Sequence, residues 1–388
     1  MHATRLGRFV SVTTAAETVR AFVPPILPPL PAIELAPLIE PLVQAERALG
    51  RLDGVSVMLP DHELFLFMYV RKEALLSSQI EGTQSTLSDL LRFETQAEAG
   101  RPVDDIREVS NYVRAMMHGL ERIETLPLSL RLIREMHAEL MRDTRGGAMD
   151  PGQFRRSQNW IGGTRPGNAL FVPPPVHELD ACLHALELFL HETASGLPAL
   201  IKAGLIHVQF ETIHPFLDGN GRIGRLLITL YLCAQGVLAK PLLYLSLFLK
   251  THRAQYYHLL QQVRLGGAWE PWLAFFLSGV AETANQAFDA ANRISALFAA
   301  DRRRIAETGA QRTGSMLRAH EVLQRNPYAT AQTVASGTQL SMPTTNAVLA
   351  DLERIGLVRE VTGRQRGRVF CYAAFLAILA EGTDPLPP

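Results

Sequence analysis

His214-Pro215-Phe216-Leu217-Asp218-Gly219-Asn220-Gly221-Arg222-Ile223-Gly224-Arg225 decides how the rest of this chain is read. It places an imidazole, a carboxylate, a glycine-flanked amide turn and two guanidiniums within one short segment. Ile223, Leu226, Leu227, Leu230 and Tyr231 recur at helical spacing, so a helix is expected from about Gly219–Asn220 through Gln235. A helix N-terminus presents unpaired N–H groups and the positive end of a dipole, and both favour an anion. Gly219 and Gly221 let those donors approach a phosphate closely. Arg222 and Arg225, three apart, lie on neighbouring rows where both reach phosphate oxygens. Asp218, just before the turn, suits a hard cation such as Mg²⁺. His214 precedes a proline and is expected to be extended; an imidazole there is a candidate general base. Together these residues can grip a polyphosphate and deprotonate a nearby hydroxyl.

Two other patterns overlap this segment. Gly219-x-Gly221-x-x-Gly224 fits a dinucleotide fingerprint, but no strand leads into it and no acidic residue follows about 20 positions on. His207, Glu211 and His214 fall at i, i+4 and i+7, a metal-site spacing only if the helix continued through Pro215. The zinc-protease spacing is different, and His207 and Glu211 read as buried polar groups that position the loop.

The segment resembles the signature of the Fic domain family, HPFx(D/E)GNGRxxR, with no departure at the fixed positions. The resemblance implies an all-α Fic-fold helical bundle with a β-hairpin flap. It also implies transfer of AMP from Mg·ATP to a Ser, Thr or Tyr hydroxyl of a protein, with pyrophosphate released. On that likeness His214 takes the hydroxyl proton, Phe216 anchors the loop and Asp218 holds Mg²⁺. Asn220 and the amides from Gly219 to Arg222, Gly221 included, form the anion hole. Arg222 and Arg225 bind the outer phosphates.

Upstream, Ser77-x-x-x-Glu81-Gly82 ends an apolar helix pattern over 62–80, with Gly82 as its C-cap. Alone it is an ordinary helix end. Beside the motif it is similar to the family's inhibitory sequence, (S/T)xxxE(G/N), whose glutamate pairs with the second arginine, here Arg225. Holding the competent state near 1% takes only about 2.7 kcal/mol. Low basal activity and self-labelling are therefore expected. Some family members use this glutamate for the reverse, de-adenylylating reaction.

Residues 159–175 read as a hairpin, with β-prone Trp160-Ile161 and Ala169–Val172 around a Gly/Pro/Asn turn that includes Gly162 and Gly163. It is similar to the Fic flap, which takes up the target by strand addition. Tyr257, in a helix after the motif, is a candidate cover for the adenine ring.

The 388 residues suffice for two or three domains, and 38 basic residues balance 38 acidic ones, which points to no general nucleic-acid or membrane partner. The expected division is a strap and inhibitory helices over 1–105, a catalytic bundle over 106–305 and a small domain over 306–388. Cys182, Cys233 and Cys371 lie far apart in apolar surroundings, and the N-terminus is too polar for a secretion signal. A reducing, cytoplasmic location is expected. Pro24–Pro31 reads as a stiff strap. From Gly309 on, the order helix, helix-turn-helix, β-wing resembles a winged-helix domain. Between Arg312 and Tyr372 stand eight Arg against three Glu and one Asp, with Arg364, Arg366 and Arg368 at the wing tip. DNA contact, protein docking and a homodimer surface all stay open there, with Thr344, Thr345 and Asn346 as the residues that would face bases.

Overall fold

The computed structural model describes residues 5–14, 17–58, 62–95, 104–144 and 149–386. Helices dominate. α1 (Ile39–Met58) and α2 (His62–Ile80) precede the short α3 (Leu87–Glu94). Thr86 and Asp89 close a capping box at the start of α3, which fixes where it begins. The sequence predicts a helix over 86–98 here, and its last residues lie outside the described ones. α4 (Asp104–Arg122) and α5 (Leu130–Leu140) pair in front of the motif, and α6 (Val176–His191) and α7 (Ala199–Ile213) lead into it. α8 (Asn220–Ala234) carries the motif's second half.

α7 and α8 form the centre. Nearly all of α7 from Leu200 to Ile213 is buried, including polar His207, Gln209 and Glu211. A helix buried on all sides cannot be amphipathic, so its polar groups need internal partners. His207 has two: the Gly224 carbonyl at 3.0 Å and the Tyr256 hydroxyl at 2.8 Å. Burial pushes its imidazole down to about 3.

After α8 come α9 (Ser246–Thr251), α10 (Arg253–Gly266) and the 39-residue α11 (Trp269–Glu307), which packs along α1. The tail section is α12 (Thr313–Arg325), α13 (Ala331–Thr338), α14 (Met342–Arg354) and α15 (Ala373–Ala380). The hairpin β1 (Arg8–Thr13) and β2 (Thr18–Val23) stands at the N-terminal end. Its register pairs Arg8 with Val23 and Thr13 with Thr18. β3 (Tyr328–Thr330), β4 (Arg359–Glu360) and β5 (Val369–Cys371) make an antiparallel sheet of order β3-β5-β4.

The end of the chain folds back on α2. Gln79 donates to the Thr383 carbonyl at 2.8 Å, and Lys250 Nζ donates to the Gly382 and Asp384 carbonyls at 3.0 and 2.6 Å. Lys250 also donates to Gln79 Oε1 at 2.9 Å. These groups are largely withdrawn from water, so leaving any of them unpaired would cost about 1–3 kcal/mol. Among the described residues no helix is long and apolar enough to cross a membrane.

Candidate functional site

The 214–219 loop is held from three directions. Phe216 is fully buried and stacks on the His137 ring at 3.7 Å. His137 Nδ1 accepts from the Gly152 N–H at 2.8 Å, which leaves its Nε2–H to donate to the Asp218 carbonyl at 3.0 Å. Burial pushes this imidazole down to about 4, in keeping with the neutral form that the two bonds require. Arg155 donates to the His214 carbonyl at 3.0 Å, and Asn159 donates to the His214 and Phe216 carbonyls at 3.2 and 2.9 Å.

His214 departs from the extended backbone expected before a proline. It lies in the left-handed region, φ 50°, ψ 61°, as the C-cap of α7. Its N–H still reaches the Phe210 carbonyl at 2.9 Å, while Arg155 and Asn159 hold its own carbonyl. One residue thus ends a helix and turns the chain, and the clamp outweighs the pre-proline preference. His214 Nδ1 is buried without a hydrogen-bond partner among the described residues, so Nε2 is the nitrogen able to meet a hydroxyl. Burial, with the Arg264 charge adding to it, pushes the imidazole down to about 3, so it stands neutral.

Gly219 begins α8 with φ 76°, and the helix starts at Asn220. Asn220 does not point its amide at the pocket. Its Oδ1 accepts from the Phe216 N–H and its Nδ2 donates to the Phe216 carbonyl, both at 2.8 Å. It therefore shapes the loop, and the anion-binding donors left at this turn are backbone N–H groups. Glu81, Glu108, His214, Asp218, Gly219, Asn220, Gly221 and Arg222 line one pocket of about 370 Å³.

Glu81 closes that pocket from α2. Its Oε1 accepts from Arg225 Nη2 at 2.6 Å, and Ser77 takes Arg225 through its hydroxyl and its carbonyl, both at 2.9 Å. Burial pushes the Glu81 carboxyl up, but the Arg225 charge and hydrogen bond outweigh that and hold it below the ordinary carboxylate range. A Cβ at Gly221 would meet Glu81 Oε1 at 2.2 Å, so the carboxylate lies directly over this glycine. The carboxylate thus occupies the space over the start of α8 as well as the arginine. Arg225, 2% exposed, lies behind Gly221, while Gly82 ends α2 with φ 105°.

Asp218 is 47% exposed at the pocket. Among the described residues no group of three or more His, Cys, Asp or Glu side chains is arranged to hold a metal. Mg²⁺ needs no such cage, since it takes one or two carboxylates and completes its shell with water and phosphate oxygens. An exposed Asp218 fits that requirement.

The flap is reduced to one bridge, Ile161 opposite Phe171, with a 3-10 turn at Pro166–Asn168 between. Gly162 and Gly163 both have positive φ, and Trp160 and Leu170 are exposed. β2 joins from the other side, the Phe22 N–H donating to the Val172 carbonyl at 2.9 Å, and Glu17 grips the flap turn through Arg165 and the Gly167 N–H. Tyr257 does not line the pocket; 41% exposed, it stacks on Tyr256 at 5.0 Å with Arg253 over its ring. The sequence marked none of Glu108, His137 and Arg155 for the site, and marked Asn159 only as the first residue of the expected hairpin.

Two family models match the chain: the Fic/DOC family N-terminal model over residues 39–121 and the Fic/DOC family model over 127–232. The chain contains a Fic/DOC family N-terminal region and a Fic domain. Its Fic domain holds the loop and α8, and its family N-terminal region supplies α2 with Ser77 and Glu81. The protein adenylyltransferase Fic of Drosophila grimshawi is 32% identical over 194 residues, 48% of this chain and 36% of that protein. The protein of the same description in Drosophila virilis gives the same figures. The chain thus spans about a third of the length of the curated relatives it matches. Among solved structures, a Fic family protein from Desulfovibrio desulfuricans superposes with a TM-score of 0.55 at 18% identity, covering 88% of this chain and 97% of that one. A Fic domain containing signaling protein from Bacteroides thetaiotaomicron gives 0.50 at 18%, covering 64% and 95%. These likenesses establish the fold.

Proposed function

We propose that this chain is a self-inhibited protein adenylyltransferase that moves AMP from Mg·ATP to a Ser, Thr or Tyr hydroxyl of a protein, itself included. The observation that carries the reading is one pocket in which a neutral His214 faces the amide-bearing start of α8. The target oxygen bonds to the α-phosphorus, the bond from that phosphorus to the bridging oxygen breaks, and pyrophosphate leaves. His214 Nε2 takes the hydroxyl proton. The N–H groups at the start of α8 face the charge that develops on the transferred phosphate, where preorganised donors act most strongly. Arg222 and Arg225 hold the outer phosphates, and Glu81 must release Arg225 before they can. Mg²⁺, held by Asp218, would neutralise phosphate charge when bound. The description of the Drosophila relatives supports AMP as the transferred group.

A second reading has its own support. Glu81 lines the same pocket as His214, so a carboxylate stands where it could direct water at an AMP ester. Removal of AMP is then the reaction of the closed form. For the C-terminal segment, which we read as a winged helix, we favour protein docking over DNA. On α14 the outward positions Met342, Pro343, Asn346 and Ala350 are uncharged, and Arg354 is paired with Asp351.

The test is the intact mass of Glu81→Gly protein incubated with Mg²⁺ and each nucleoside triphosphate in turn. One added AMP mass from ATP, lost in Glu81→Gly/His214→Ala, is expected. Addition of another group would change the donor, and no addition to the chain or to proteins mixed with it would reject transfer.

A further inference from the structure

Arg222 has carboxylates on two sides. Glu108 Oε2, from α4, lies 3.1 Å from Nη1, and Asp218 Oδ1 lies 3.8 Å from Nη2. Asp218, just before the left-handed Gly219, and Arg222, in the first turn of α8, face each other across the helix start. The guanidinium is 5% exposed, and its Nε is buried without a partner among the described residues. A cation so withdrawn from water holds at least one carboxylate closely, because an uncompensated buried charge costs several kcal/mol. Glu108 is the nearer one. Asp218 is left beyond hydrogen-bond length from the guanidinium, its Oδ1 accepting from the Gly219 N–H at 2.6 Å.

We propose that Glu108 is a positioning residue: by drawing Arg222 toward α4 it keeps Asp218 off that arginine and open to a divalent cation. The proposal rests on Asp218 as the cation ligand. With Glu108 neutral, Arg222 swings to its i−4 neighbour and the cation must compete with a guanidinium for one carboxylate. Residues that orient a metal ligand in this indirect way typically change metal affinity by about 10–100-fold.

The test is Mn²⁺ binding without nucleotide, followed by electron paramagnetic resonance on the full chain carrying Glu81→Gly. Asp218→Asn in that background defines the site and is expected to abolish binding. Glu108→Gln is expected to weaken Mn²⁺ by about tenfold. Loss of a negative charge near the site would weaken it too, so the deciding measurement is a cycle with Arg222→Met. Once the arginine is gone, Glu108→Gln has nothing to release onto Asp218, and its effect should largely vanish. Equal weakening with and without Arg222, or no weakening at all, overturns the proposal. Glu108→Ala, equally neutral, serves if Glu108→Gln does not fold, and is held to the same two outcomes. Absence of Mn²⁺ binding in the Glu81→Gly protein also overturns it. Binding of a nonhydrolysable ATP analogue, measured in parallel, shows separately whether the nucleotide reading stands.

Discussion

The end of α2 and the flap flank the same loop and are built in opposite ways. Around Ser77–Gln79 every side chain is buried, and Arg225 donates two bonds to Ser77 and one to Glu81. In the flap a single bridge joins Ile161 to Phe171, and Trp160, Leu170 and the two glycines lie at the surface. A restraint holds when its polar groups are saturated from within the fold. A docking edge works when its backbone groups remain available to another chain. The pocket thus sits between a side whose polar groups are paired from within and a side with an open edge, which we propose a target completes.

Breaking the internally paired side should give the largest effect. Glu81→Gly is expected to raise labelling from radioactive ATP by about 100-fold, the ratio that a 1% competent population implies. An unchanged rate would mean that the Glu81–Arg225 pair restrains nothing. The flap should respond in the other direction and more weakly. Gly163 has φ 71°, and a Cβ there would meet the Asn168 carbonyl oxygen at 2.5 Å. In the Glu81→Gly background, Gly163→Val should lower kcat/KM for protein labelling by about tenfold, from strain of 1–2 kcal/mol, with affinity for an ATP analogue unchanged. If nucleotide binding falls equally, the two sides are not separate.

Finer tests follow on the α2 side. Ser77→Ala removes the hydroxyl that accepts from Arg225 Nε but leaves the Ser77 carbonyl and Glu81 in place. A lost hydrogen bond of about 1 kcal/mol predicts roughly a fivefold rise in basal labelling. The smallest expected effect is that of pH on the restraint. Glu81 is held below the ordinary value of 4.5 when paired with Arg225. The pairing is therefore fully present above 4.5 and is lost only as pH falls through the lowered value. The ratio of Glu81→Gly to wild-type labelling should be flat between about pH 6 and 8. A ratio that falls steeply in that window would show that another group, not this carboxylate, sets the restraint.

The contiguous motif was readable because its chemistry and its spacing fall within one loop and one helix start. Ser77 and Glu81 were readable as a short local pattern. The helical body followed from sustained periodicity. What escaped came from contacts between distant segments. The β1–β2 hairpin has alternating apolar positions at Val10, Val12, Val19 and Ala21. The segment joining its strands, Thr14-Ala-Ala-Glu17, carries no Gly, Pro or Asn to announce a turn. Arg155, Asn159 and His137 hold the loop from 55 to 81 positions away, a distance at which no periodicity operates. The family resemblance puts Asn220 in the anion hole, yet both its polar atoms bond to Phe216. His214 was misread in conformation because local preference yields to the clamp on its carbonyl.

Gln79 lies between Ser77 and Glu81 at the end of α2, and its amide is stitched to Lys250 and to Thr383 near the far end of the sequence. The restraint we propose for the pocket therefore has its hinge pin in the last few residues of the described chain. A C-terminal purification tag, or a trimmed version prepared for convenience, would tamper with the catch before any assay began. Resting rates measured on such material would describe the tampering.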